Sequence, residues 1–338
     1  MASAAASQVR KVDTACMHCG DAGAETLWSG REHEYENTTD EEFRFVRCTG
    51  CGVVRLNPRP DVSELGRIYP PDYYAYGLLS EEGDEPAGLG AKLKRRMYQR
   101  RFMALLDRLG RTGPLRILDV GCADGRLLDW YRQSPAGERL ETFGIELNEA
   151  AAAEARRRGH RVVTGRFEID TTLEAGTFDL ILAYHVIEHV DDPKAFAQRA
   201  SDLLAPGGVF VVTTPNVDSP DVRRLRGSWG GNHFPRHWTL YDAATIGRLA
   251  DDVGLALERV EYQVNPIFWV WSCHAWLTRR FPGAAWPDRL FPTVAIFHRS
   301  LQSFVLLSLF TVVDVLLRLV TGRTGSMGVE LRKPPASG

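Results

Sequence analysis

The chain has 338 residues, 44% of them apolar and 25% charged, with Lys plus Arg at 41, Asp plus Glu at 43 and a formal net charge of −2. Such a composition is globular, and the length leaves room for about two domains. It excludes a disordered chain, a collagen-like chain and a simple coiled coil. Near-neutrality speaks against a protein built globally to bind nucleic acid.

Residues 1–12 are rich in Ala and Ser, lack the apolar stretch of a secretory signal, and read as a disordered tail. Residues 13–60 hold four of the six cysteines in two C-x-x-C pairs, Cys16/Cys19 and Cys48/Cys51, each followed at once by glycine. Each such turn sets two sulfurs on one side of an ion, and Gly20 and Gly52 tolerate the tight backbone. Two knuckles predict a zinc ribbon with Zn²⁺ on Cys16, Cys19, Cys48 and Cys51. Four thiolates leave no open position, so the ion is structural. A redox dithiol would need one pair only. His18, inside the first knuckle, reads as a surface residue. Paired thiols without a secretory signal predict a reducing, cytoplasmic location.

Residues 61–111 are read as a linker and a helix. Tyr69, Tyr73, Tyr74 and Tyr76 cluster in the linker, either packed on the next domain or forming a lid. From Ala91 to Leu109, Tyr98, Phe102, Leu105, Leu106 and Leu109 recur at helical spacing. The start of this helix is basic, through Lys92, Lys94, Arg95, Arg96, Arg100 and Arg101. That is a solvated face, or a contact for phosphate, anionic lipid or RNA.

Residues 112–262 alternate strand and helix. Strands are predicted at 116–120, 142–146, 161–164, 178–183, 209–213 and 255–264, and helices at 149–158 and 243–253. Asp192-Pro193 opens another helix, with a capping carboxylate before a proline at the first helical position. The succession predicts an α/β fold with a doubly wound, mostly parallel sheet. The first strand runs into Asp119-Val-Gly121-Cys-Ala123-Asp-Gly125, a D-x-G-x-[G/A]-x-G turn whose small residues let a ligand approach the backbone. Glu146 ends the second strand, where a carboxylate can accept from both ribose hydroxyls of a nucleoside. Further along come His185-Val-Ile-Glu188-His189, Pro206-Gly-Gly208, Thr214-Pro-Asn216 and Pro235-Arg-His237.

In this order, these motifs resemble those of class I S-adenosylmethionine-dependent methyltransferases, and more narrowly bacterial ones with an N-terminal zinc ribbon. The resemblance covers roughly residues 16–60 and 114–262, with a last strand at 325–333. It implies a Rossmann-like sheet of seven strands with helices on both faces. It implies that Gly121, Ala123 and Gly125 line the methionine part of the cofactor. Asp119 would orient the loop or meet the amino group, Glu146 would hold the ribose and Leu147 would cover adenine. Relatives often place an acidic residue just after the Gly165 position; here Arg166 stands there, which leaves adenine to Phe167 and backbone groups.

As a bare pattern, His185-x-x-Glu188-His189 matches an inverted zinc-protease signature, but it follows an apolar strand instead of lying on a helix. Some quinone O-methyltransferases bind metal around a similar loop, using more carboxylates than this one offers. Methyl transfer from a sulfonium is an in-line displacement that mainly needs a positioned acceptor. A hydroxyl acceptor also needs a base, for which His185 and His237 are the candidates.

Residues 263–323 form an insertion that carries Trp269, Trp271, Trp276 and Trp286 and a predicted apolar helix at 294–320. Asp314 and Arg318 interrupt that run, so no clear membrane span is read. A helical cap, a homodimer partner, a pocket for a lipid-linked acceptor and a peripheral membrane contact all fit it. Arg299, Ser303, Asp314 and Arg318 fall roughly on one side of the wheel. Residues 324–338 are the last strand and a tail. The whole reads as a SAM-dependent methyltransferase for a small-molecule, sugar or glycan/lipid-linked acceptor, with O-methylation first. RNA methylation and cofactor binding without turnover are the alternatives.

Overall fold

The computed structural model describes residues 8–35, 37–70, 73, 89–298 and 300–335. Tyr74, Tyr76, Arg299 and the first seven residues, on which parts of the sequence reading fall, lie outside the described residues.

A seven-stranded sheet forms the centre. Its strands are β6 (Leu115–Val120), β7 (Leu140–Glu146), β8 (Arg161–Thr164), β9 (Phe178–Tyr184), β10 (Leu204–Pro215), β12 (Ala256–Gln263) and β13 (Ser326–Arg332), in the order β12-β13-β10-β9-β6-β7-β8. β13 alone runs opposite to the other six strands, antiparallel to β10 on one side and β12 on the other. Strands covered on both faces are apolar along most of their length, and β9 is buried from Phe178 to Ala183, its one carboxylate, Asp179, being paired with Arg111. Alternate residues then sort to opposite faces. Ile117, Leu180, Leu182 and Val211 pack with α1 (Leu89–Leu109) and α2 (Arg126–Arg132). Leu118, Val120, Ile181 and Val212 pack with α4 (Pro193–Leu203) and α5 (Ala243–Asp252); α3 is Glu149–Arg157. The seven-stranded methyltransferase-type sheet with helices on both faces is therefore present. The order reverses at β6, between β7 and β9, which opens a crevice at the carboxyl ends of these strands.

The N-terminal block folds as β2 (Ala24–Arg31), β3 (Glu42–Cys48) and β4 (Val54–Leu56), and a short strand from far along the chain, β11 (Thr239–Leu240), completes its sheet. Residues 8–12, expected in the tail, are partly ordered by pairing: β1 (Lys11–Val12) lies antiparallel to β5 (Arg59–Pro60). His18 is buried instead of surface-exposed, because its Nε2 meets the Tyr241 hydroxyl at 3.1 Å. The fifth core strand starts at Leu204, five residues early, with Pro206-Gly-Gly208 taken up as a register shift.

The insertion holds α6 (Pro266–Arg280), a short helix Trp286–Leu290 and α7 (Leu301–Thr321). The single helix expected at 294–320 is broken. A turn at Ala295–Phe297 precedes Ser300, whose side chain caps α7 by accepting from the Ser303 amide.

The ribbon, the segment that follows it and the loop around Phe234 meet at Arg236, which is fully buried. Its Nε donates to the Ile68 carbonyl at 2.7 Å, its Nη1 to the Phe234 carbonyl at 3.1 Å, and its Nη2 to the Glu32 carboxylate of the ribbon. The guanidinium also lies 4.6 Å from the Tyr35 ring centroid. Removing one partner of a buried ion pair leaves the other charge unpaired. Arg236→Ala should therefore cost about 3–5 kcal/mol of stability, measured by denaturant unfolding. A loss below ~1 kcal/mol would put this joint outside the forces that hold the fold.

Candidate active site

The crevice at the switch point continues into a cavity of about 630 Å³. Gly121, Cys122, Ala123 and Asp124 form its floor, and Asp119 lies beneath. The turn folds as it does because Gly121 and Gly125 sit at φ +74° and +78°, where glycine carries no Cβ penalty. Ala123 shares that region at φ +50°. The Glu146 carboxylate locks the loop, accepting from the Ala123 amide at 3.0 Å and the Asn148 amide at 2.9 Å. Gly125 is placed differently from expectation. It does not line the cavity, and a Cβ there would come 2.6 Å from the His160 ring. Its smallness serves helix-to-strand packing.

Leu147 stands at the tip of β7 and is 68% exposed, a large apolar side chain open on one face. Phe167 is buried, with its ring packed edge-on to Phe196 at 4.9 Å, so its side chain is a core group. Arg166 pairs with Glu168 and Asp191.

His185 lies on the cavity wall, at the carboxyl end of β9. It adopts φ +55°, unusual for a residue with a Cβ, and its amide is held by the Thr213 carbonyl at 2.8 Å. Its Nδ1 is 3.0 Å from Oε1 of the fully buried Glu188. A carboxylate there accepts the Nδ1 proton and leaves Nε2 as the ring's basic atom. The other candidate, His237, is buried away from the cavity lining, with Nδ1 on the Gly231 carbonyl at 2.8 Å. Burial drives its pKa down to about 3, so it is neutral. His237, His189 and Glu188 nevertheless offer ligand atoms within 4.8 Å of one another. Glu188 Oε2 has no hydrogen-bond partner. The sequence showed the loop's carboxylates but not His237 beside them, because the two segments are nearly 50 residues apart.

Sequence reasoning also missed much of the wall. Tyr98, Trp130, Tyr131 and Tyr184 line it, and the Tyr131 and Tyr184 hydroxyls are 3.3 Å apart. Lys94, Arg100 and Arg101, on the same helix α1 as Tyr98, line it as well. The only signal for them was the basic start of that helix.

In the ribbon, Sγ of Cys16 and Cys51 are 3.5 Å apart, as are those of Cys19 and Cys48, and all four sulfurs lie within 4.8 Å. A tetrahedral zinc site with bonds of about 2.3 Å needs sulfurs roughly 3.8 Å apart, so the donor set fits. The Gly20 and Gly52 amides close the two knuckles on the Cys16 and Cys48 carbonyls at 2.8 and 2.9 Å.

The family model described as a methyltransferase domain matches residues 93–260. A ubiquinone biosynthesis O-methyltransferase of Ruegeria pomeroyi is 32% identical over 182 residues, 47% of this chain and 67% of that protein. One from Dinoroseobacter shibae is 38% identical over 178 residues, again 47% and 67%. The chain belongs to the SAM-dependent methyltransferases. A third relative of the same name, from Bradyrhizobium, is 32% identical over 166 residues, but the match spans only 63% of its length. Among solved structures, magnesium protoporphyrin IX methyltransferase from Synechocystis aligns at TM-score 0.47 and 13% identity, over 81% of this chain and all of that one.

Asp119 supplies a test of this methyltransferase's cofactor site. Burial, then the neighbouring Glu146 charge, push its carboxyl up to about 8, so it holds a proton at pH 7. A cation brought against it would favour the carboxylate. SAM binding at pH 7 should release about one proton, and affinity should rise with pH toward 8. Calorimetry in buffers of different ionisation enthalpy reads that proton. Asp119→Asn should abolish the release, and no release in the unaltered protein would remove Asp119 from the cofactor site.

Proposed function

We propose that the enzyme methylates a hydroxyl of a small-molecule, sugar or glycan/lipid-linked acceptor by in-line transfer. The observation that carries this is His185, held by a buried carboxylate on the wall of the cavity that the glycine turn also lines. When bound, S-adenosylmethionine supplies a methyl group already activated on a sulfonium. Gly121 and Ala123 would take its methionine part and Asp119 its amino group. Glu146 would take the ribose and Leu147 one face of adenine, while Phe167 would contribute backbone.

The chain's own work is then positioning and one proton. His185 Nε2 accepts the hydroxyl proton as the oxygen attacks. Glu188, already on Nδ1, stabilises the imidazolium that results. Tyr98, Trp130 and Tyr131 exclude water and offer an apolar wall. Lys94, Arg100 and Arg101, which line the cavity, fit an acceptor bearing an ionised group. His237 supports the loop in this reading. Cys16, Cys19, Cys48 and Cys51 would hold Zn²⁺ as a structural ion, which requires a reducing compartment. Residues 294–320 give the enzyme a peripheral contact with a membrane that could present a lipid-linked acceptor.

Methyl-labelled SAM with fractionated extract of the source cells tests the acceptor. Label is expected in the small-molecule, glycan or lipid fraction and should vanish with Glu146→Ala. RNA labelling would overturn the acceptor class, and no label despite SAM binding would leave a sensor or scaffold. With the acceptor in hand, His185→Ala should lower kcat by about 10²–10⁴-fold with SAM affinity retained. Unchanged kcat would remove His185 as the base.

A further inference from the structure

Helix α7 is amphipathic in the wrong sense for a surface in water. Leu301, Val305, Leu309, Val312, Leu316 and Leu319 follow one another at steps of four and three residues, hence along one face. They are 52–79% exposed. The two charged residues of the helix point the other way. Asp314 is 2% exposed and accepts from Trp269 Nε1 at 2.7 Å and from the Asn265 amide at 2.6 Å. Ser303 is buried, and Arg318 reaches the Tyr262 carbonyl. A soluble surface helix buries its apolar stripe and exposes its charges; this one does the reverse. Among the described residues, it is also the one helix long and apolar enough to cross a membrane by length and composition.

We propose that α7 lies in the plane of an anionic lipid bilayer with this stripe in the acyl boundary. A crossing orientation does not fit the ends. Ser300 caps α7 just after the buried Ile296, and Ser326 begins β13 in the central sheet soon after Gly322. Asp314 pins the middle to α6. The helix is therefore bound to the protein along its length and can only lie flat.

Charge selects the lipid. Residues 263–323 contain six arginines and two aspartates, in a chain whose net charge is −2. Beside the start of α7, Arg279, Arg280 and Arg289 are exposed, next to exposed Trp276, Phe281 and Trp286. Gln302 of α7 ties the two together by donating to the Arg289 carbonyl at 2.6 Å. Aromatic and arginine side chains together suit the headgroup layer. A second copy of the chain fits less well. A paired-helix seam places charges beside its apolar stripe to set partner and register, and no charged side chain lies on the exposed face of α7.

The pose also bears on the acceptor, a point that rests on the reading of the cavity above. Arg318 contacts Tyr262, and its neighbours Glu261 and Gln263 line the cavity. The C-terminal end of α7 thus sits at the cavity's edge, where a lipid-linked acceptor would enter from the bilayer.

The test uses the full chain with its metal, without SAM or acceptor, in co-sedimentation with vesicles. One set is phosphatidylcholine and the other is phosphatidylcholine with phosphatidylglycerol. The protein is expected to bind the anionic set more strongly. Leu309→Glu with Leu316→Glu should lower binding to both by about tenfold or more, with SAM affinity and melting temperature retained. Arg279→Gln with Arg280→Gln and Arg289→Gln should remove about tenfold on the anionic set alone. Absence of binding by the unaltered protein, or binding insensitive to the two glutamates, would overturn the proposal. So would a dimer in light scattering that the glutamates split, without vesicle binding. Because no acceptor is present, these outcomes stand apart from failure of the labelling experiment.

Discussion

A guanidinium buried beyond the reach of water must find every hydrogen bond inside the protein, and that requirement at Arg236 organises the rest of the molecule. Its partners come from three places: Glu32 in the ribbon, the Ile68 carbonyl after it, and the Phe234 carbonyl in its own loop. Satisfying one side chain therefore joins the N-terminal ribbon to a loop more than a hundred residues downstream. The adjacent His233 reinforces the joint through Glu34 at 2.7 Å and a ring stacked on Trp271 of α6. Burial pushes that glutamate up and that histidine down, so each favours its neutral form and the contact avoids a second buried charge.

The same loop reaches the candidate active site. The Trp238 and Thr239 amides both donate to the Glu188 carbonyl, at 2.7 and 3.2 Å, and Thr239 then enters the ribbon's sheet as β11. Glu188 in turn holds His185. Buried polar contacts thus run from Glu32 of the ribbon, through Arg236 and its loop, to His185 on the cavity wall. This gives the ribbon a physical role distinct from nucleic-acid or partner binding: it buttresses the segment that sets the imidazole. His185 sits in left-handed backbone, and such strain persists only where surrounding bonds over-determine it.

The insertion obeys a different solvent rule. On α7 an apolar stripe faces out while the charged residues Asp314 and Arg318 turn toward the protein. Asp314 is costly to bury, and burial raises its pKa, yet its two hydrogen bonds fix the rotation of α7 about its axis. The apolar stripe is outward because that carboxylate is inward.

Local pattern was enough for the core. Continuous apolar runs announce strands covered on both faces, Asp192-Pro193 announces a helix start, and paired C-x-x-C-G turns announce converging sulfurs. Each is legible because its physics is contained within a few neighbouring residues. Convergence between distant segments was not legible. Neither the placing of Gly125 against His160, the burial of His18 under Tyr241, nor the meeting of His237 with Glu188 leaves a mark on nearby sequence. The apolar helix shows the division most clearly. Its composition is plain in the chain, and Asp314 there looks like an interruption. Only the packing of α7 on α6 decides that this carboxylate turns inward, since the direction of a helix face depends on which side finds hydrogen-bond partners.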